Sequence, residues 1–169
     1  MEIPYVFVTL GTDHHRFDRL VDWIDAWCEL HPDVAVLVQH GSSRAPRRAL
    51  AVANVSAERM GELLGCVPAV VTCGPGTIME CRLAGVRPIA VPRRSVLHEV
   101  VDDHQVAFAR QLAQTGLVAL AEDEVTLGAA LDAVVADNAR YRFVPDDDGV
   151  PAGVARVGAL IDDLVWGPG

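Results

Sequence analysis

Lysine is absent from this chain. All 14 basic side chains are arginine, set against 23 acids, for a net charge of -9 over 169 residues. So acidic a chain is a poor nucleic-acid binder, because that affinity comes largely from cations that release the phosphate counterions. Aromatics are also scarce, at 5%, while the hydrophobic fraction is 51%. The core must then be built from Val, Ala and Leu, which suits a sheet with packed helices. The four cysteines, Cys28, Cys66, Cys73 and Cys81, show no CxxC or Cys/His metal spacing and read as reduced cytosolic thiols. No signal peptide is expected, since Glu2 and Pro4 interrupt the start and the apolar run over 5–10 is short. No run approaches the ~20 apolar residues of a membrane span. A cytoplasmic chain follows, whose membrane contact would come through a surface or a partner.

What is present is an alternation of strands and helices. Strands are expected at 5–9, 34–38, 50–55, 69–72, 88–91 and 117–120 from short apolar, β-branched runs bounded by turn residues. Phe17, Leu20, Val21, Ile24, Trp27 and Cys28 recur at helical spacing over 17–30, and Pro32 stops that helix. Further helices are expected from the Ser56 cap through 64, over 76–83 up to Gly85, over 102–114 and over 124–135. Residues 138–153 read as irregular, followed by a last helix at 154–165. The length suits one domain, 1–169. The alternation predicts an α/β, Rossmann-like, doubly wound and mainly parallel sheet of about six strands with helices on both faces.

In such a sheet ligands sit outside the carboxyl ends of the strands, near the switch in strand order. The polar segments 11–14, 39–43, 73–77 and 93–105 all follow predicted strands, so they should converge on one edge. Gly74-Pro75-Gly76-Thr77 is a glycine turn opening a helix, where backbone N–H groups and the helix dipole favour an anion. Pro75 has no N–H, so the donors must be Gly76, Thr77 or Ile78, with the Thr77 hydroxyl beside them. Such turns also serve as plain strand–helix connections. Glu80, expected on the first turn, fits a ribose diol, because a carboxylate accepts from two adjacent hydroxyls. Asp102 reads as an N-cap, and Gln105, next to His104, can donate to and accept from sugar hydroxyls. Diphosphate, ribose and sugar are thus the ligand parts this pattern suggests.

Other polar clusters are less specific. His14 or Asp13 could act as a general base, with His14 the candidate catalytic residue, although paired loop histidines are usually surface groups. Arg44, Arg47 and Arg48 form a basic island suited to diphosphate, to an anionic lipid surface, or simply to solvent. Asp146-Asp147-Asp148 contains a DxD pattern but reads as a turn before Gly149 rather than a metal site. There is no Walker loop and no complete GxGxxG, which leaves an NAD enzyme weakly supported.

Val6-Phe7-Val8-Thr9-Leu10-Gly11-Thr12, with Phe17-Asp18-Arg19-Leu20-Val21 after it, resembles the start of small family-28-like glycosyltransferase subunits. The stretch from Cys73-Gly74-Pro75-Gly76-Thr77 to Glu80 is similar to their His-Ala-Gly-x-Gly-Thr-x-x-Glu donor motif. Val91-Pro92-Arg93 and Asp102-Asp103-His104-Gln105 complete the order.

The resemblance spans about residues 5–135 and implies the donor-binding half of a GT-B enzyme. It implies a donor set of Gly11, Thr12, Gly74, Gly76, Thr77, Glu80, Asp102, His104 and Gln105. Of these, Gly11, Thr12 and 74–77 would face the diphosphate, Glu80 the ribose, and His104 and Gln105 the sugar. The implied chemistry is inverting transfer from a UDP-sugar to a lipid-linked acceptor, with no obligatory metal or other cofactor. A full GT-B enzyme has a second Rossmann domain, so a membrane-anchored, acceptor-binding partner subunit at the inner face of the plasma membrane is implied too. The alternative is a non-catalytic nucleotide-sugar-binding or interaction module of the same fold.

Overall fold

A computed structural model describes residues 5–142. The predicted helix at 154–165 and the Asp146-Asp147-Asp148 turn lie outside the described residues, as does most of the irregular segment. The elements run β1 (Val6–Thr9), α1 (Asp18–Leu30), β2 (Val36–Gln39), β3 (Leu50–Val52), α2 (Ala57–Cys66), β4 (Ala69–Thr72) and α3 (Pro75–Leu83). They continue with β5 (Ile89–Ala90), a 3-10 turn at Ser95–Leu97, α4 (His104–Gln114), β6 (Ala119–Leu120), α5 (Glu124–Ala136) and a second 3-10 turn at Asn138–Tyr141.

Every strand pairing is parallel, in the order β3-β2-β1-β4-β5-β6. The expected α/β sheet is therefore present, as six strands in the doubly wound Rossmann order. β1 and β4 lie at its centre and are buried at every position, as expected of parallel strands covered on both faces. Side chains alternate along a strand, so Val6 and Val8 enter one core layer while Phe7 enters the other. The first layer packs Leu20, Val21 and Ile24 of α1 with Leu127, Leu131 and Val134 of α5. The second joins Leu63 and Leu64 of α2 to Cys81 of α3, and Ile78 of α3 to Phe108 and Leu112 of α4.

Packing outweighs local signals in α1. Phe17 at its N-cap offers no side-chain hydrogen bond, and a missing cap costs ~1 kcal/mol. Burying Leu20, Val21 and Ile24 fully contributes roughly 1.5–3 kcal/mol for each side chain, so the helix forms regardless. Its last turn is clamped to α5, where the Trp27 Nε1–H donates to Asp132 at 2.8 Å and His31 Nε2 lies 3.1 Å from the same carboxylate.

Two expectations need correction. β3 spans three residues rather than six and lies at an exposed edge of the sheet. α4 starts at His104, with Asp103 in the cap position rather than Asp102. The Asp102 carboxylate still accepts the His104 N–H at 3.0 Å from one residue further out. No helix among the described residues is long and apolar enough to cross a membrane.

Candidate nucleotide-binding edge

The chain turns from β1 toward β2 on one side of the sheet, and from β4 toward β5 on the other. The switch in strand order therefore lies between β1 and β4, and their carboxyl ends open into the residues after Leu10 and after Thr72.

After β4, Gly74 is extended and Pro75 takes the first helical position of α3, where its missing N–H costs nothing. The Ile78 N–H donates to the Gly74 carbonyl at 3.2 Å. This removes Ile78 from the expected anion donors and leaves Gly76 and Thr77, whose N–H groups precede the first intrahelical bond. Glu80 is exposed and lies in the second turn of α3, whose first turn holds no acid. It is thus not a first-turn residue as expected, since α3 begins at Pro75 and Glu80 stands beyond the first four helical positions. Three and four residues on from Thr77 and Gly76, it shares their helical face.

The loop after β1 is braced by the loop after β2. Leu10 N–H donates to Gln39 O at 3.0 Å, Gln39 Nε2 to Gly11 O at 3.3 Å, and Phe17 N–H to the Ser43 hydroxyl at 2.7 Å. Gly41 has φ +54°, and a Cβ there would stand 2.7 Å from the Gly11 carbonyl oxygen. Only glycine allows this approach without strain. Thr12 is exposed beyond the brace.

The loop after β5 is tied into the same edge by residues whose roles the motif pattern left unread. Arg93, only 2% exposed, donates to the carbonyls of Leu10, His15 and Glu99 at 2.7, 2.8 and 2.7 Å. Glu99 is buried and takes Arg19 at two points, 2.8 and 2.7 Å, and the Arg94 N–H at 2.9 Å. The Cys73 thiol, 3.5 Å from Leu10 O, joins the β4 loop to the β1 loop. Burial pushes the Cys73 thiol up, against the pull of Arg93. The signal for Arg93 in the sequence was an arginine just beyond a buried strand, after Val91-Pro92. Glu99, in the middle of a loop, carried none.

The polar segments after β1, β2, β4 and β5 therefore do converge on one edge. Asp102 and His104 pair with each other at 2.7 Å and are exposed, and no hydrogen bond joins them to the glycine turn. They share its side of the sheet because α3 and α4 follow adjacent parallel strands and pack through Ile78 and Phe108. Gln105 is half-buried, and its Oε1 is buried without a hydrogen-bond partner.

His14 is 86% exposed and 3.5 Å from Asp13 Oδ1. Asp13, His14 and His15 set ligand atoms within 4.8 Å of one another. A metal there would have to compete with the His15 backbone N–H and Nδ1, which hold Asp13 Oδ1 at 2.8 and 2.6 Å. Slight burial raises the Asp13 carboxyl, but those two bonds and the positive charge of Arg93 prevail and hold it below its ordinary value.

The basic island differs from the expected phosphate or lipid contact. Arg44 ion-pairs with Asp22 and Asp25, and Arg48 with Glu29. The backbone N–H groups of Arg47 and Arg48 both donate to Asp25 Oδ1. The acidic face of α1 lies close enough to pair with Arg44 and Arg48, while the Arg47 and Arg48 side chains stay exposed.

Comparison with known proteins places this architecture. No curated protein matches the sequence. Among solved structures the chain is similar to the calicheamicin glycosyltransferase, at 17% identity and TM-score 0.58, over 96% of this chain and 44% of that one. It is also similar to the kitacinnamycin glycotransferase, at 20% and 0.59, over 99% and 40%. A third is the UDP-GlcNAc 2-epimerase from Methanocaldococcus jannaschii, at 15% and 0.59, over 95% and 46%. At these identities the likeness is one of fold, and the chain spans less than half of each of these structures. The profile of the glycosyltransferase family 28 C-terminal domain matches residues 5–146, and with most of its length so matched, the chain belongs to that family.

Proposed function

We propose that the chain is the donor-binding, catalytic part of an inverting glycosyltransferase that takes a UDP-sugar. The observation that carries this reading is the edge at the β1–β4 switch, where a braced glycine loop faces a helix start with two N–H donors to spare. A diphosphate is met there by Gly76, Thr77 and the Gly11–Thr12 turn, and the helix dipole adds favourable potential. Glu80, on the same helical face, accepts both ribose hydroxyls. His104 and Gln105 at the start of α4 meet the sugar, with the Gln105 amide turning outward from its buried, unpartnered position to do so. Asp102 orients His104 through its ring.

In the transfer, an acceptor hydroxyl attacks the anomeric carbon as the bond to the β-phosphate oxygen breaks. A base removes the hydroxyl proton. Within this chain His14 is exposed enough to do so, and an acceptor-binding partner could supply one instead. The preorganised N–H donors stabilise charge on the departing UDP without a required metal. The acceptor is lipid-linked and is held by a membrane-anchored partner subunit, which brings this chain to the cytoplasmic face of the membrane.

Calorimetric titration of the folded chain with UDP and UDP-sugars tests the reading. Saturable binding is expected, with transfer only after the partner is added. No binding at millimolar concentrations would overturn it. Binding without transfer in the reconstituted pair would mark the chain as a non-catalytic module.

A further inference from the structure

Arg93 carries a positive charge that the fold has buried without giving it an acid. Its guanidinium rests over the Phe17 ring, 4.9 Å from the centroid, and its hydrogen bonds go to three carbonyls. Nearby carboxylates are engaged elsewhere, Glu99 with Arg19 and Asp13 with His15. Among the described residues no carboxylate oxygen lies within 4.0 Å of Arg93. The contrast with its neighbours is plain: Arg16, Arg19 and Arg94 all pair with acids. Burying a guanidinium is costly, and carbonyl dipoles and a ring face offset that cost while leaving the net charge in place.

We infer that Arg93 is a positioning residue of the nucleotide site, bracing the 10–15 loop and holding a fixed positive charge behind the place where the diphosphate sits. This inference rests on the nucleotide reading above. Three observations support it. The bonds to Leu10 and His15 bracket the Gly11–Thr12 turn. The Cys73 thiol, directly after β4, shares the Leu10 carbonyl with Arg93. Water is excluded around the guanidinium, so its field is screened less than that of a surface arginine. The charge therefore complements the α3 N-terminus and needs no rearrangement when an anion arrives.

The test is a ladder of ligand charge, with uridine, UMP and UDP titrated into the wild-type chain, Arg93→Gln and Arg93→Lys. In folded Arg93→Gln, UDP affinity is expected to fall about tenfold or more, UMP less, and uridine by no more than about twofold. Arg93→Lys keeps the charge but loses the planar fork. It should preserve the wild-type ratio of UDP to uridine affinity while lowering Tm. Equal weakening of all three ligands in Arg93→Gln would show a purely structural arginine and overturn the inference. If Arg93→Gln does not fold, the Lys variant decides, and loss of the UDP-to-uridine ratio there overturns it. A wild-type chain that binds none of the three overturns the nucleotide reading itself, and this inference with it. Wild-type binding with a flat ladder in Arg93→Gln overturns only the role of Arg93.

Discussion

Arg19 on α1 and Glu99 in the β5–α4 loop meet in a two-point ion pair across 80 positions of chain, at 2.8 and 2.7 Å, with the Glu99 side chain 5% exposed. Such a pair matters less for the attraction it adds than for what its loss leaves behind, a charge held from water without a partner. Glu99→Ala should cost roughly 3 kcal/mol of stability, and Glu99→Gln less because the amide keeps one acceptor. Urea unfolding measures both. A cost under about 1 kcal/mol for Glu99→Ala would mean that the loop does not depend on the pair.

The approach of Gly41 to Gly11 makes a second prediction. Gly41→Ala adds a Cβ 2.7 Å from a backbone oxygen at φ +54°. Gly116→Ala meets the same left-handed strain, at φ +75°, but has no atom within 4 Å. Gly116→Ala should cost about 1–2 kcal/mol from strain alone. Gly41→Ala should cost more, and it should also weaken UDP binding because its clash displaces the Gly11 carbonyl. Equal stability losses with unchanged UDP affinity would argue against that coupling.

Glu80 separates binding from folding. It is exposed on α3, so Glu80→Ala should change stability by no more than ~0.5 kcal/mol. UDP affinity should drop about tenfold, in line with a charge-assisted hydrogen bond. Wild type should prefer UDP to 2′-deoxy-UDP, and the variant should lose that preference. A variant that still discriminates would place the ribose elsewhere.

Asp13 gives a pH signature. Its folded value lies below the ordinary 3.8, because His15 and Arg93 outweigh slight burial. A depressed carboxyl contributes stability that is present above its unfolded value and is lost as pH falls through the folded one. Asp13→Asn should therefore be less stable than wild type at neutral pH, and the gap should close below about pH 4. Thermal unfolding from pH 7 to pH 3 follows this. A gap that stays constant over the range would remove the carboxylate from the account.

Much of the fold was legible because its signals are local. The β-branched runs at β1 and β4 and the helical spacing of Leu20, Val21 and Ile24 follow from backbone periodicity, and Ser56 caps α2 as its position suggests. Errors fell where neighbours decide. β3 is an exposed edge strand that stops at three residues, and Pro75 already belongs to α3, with Glu80 beyond its first turn. The basic island at 44–48 looked free in sequence because its acids lie on α1, about twenty residues away.

By itself, the sequence determined the strand–helix alternation, the glycine turn with its acid and the order of motifs that marks the family, all of which depend on near neighbours along the chain. Only the tertiary structure decided which charges are spent and which remain. It paired Arg44 with Asp25 and Arg19 with Glu99, and it left Arg93 buried among carbonyls. The physical reason is that a charge's environment is set by what folds against it, and in a parallel sheet those groups come from loops far apart in the chain.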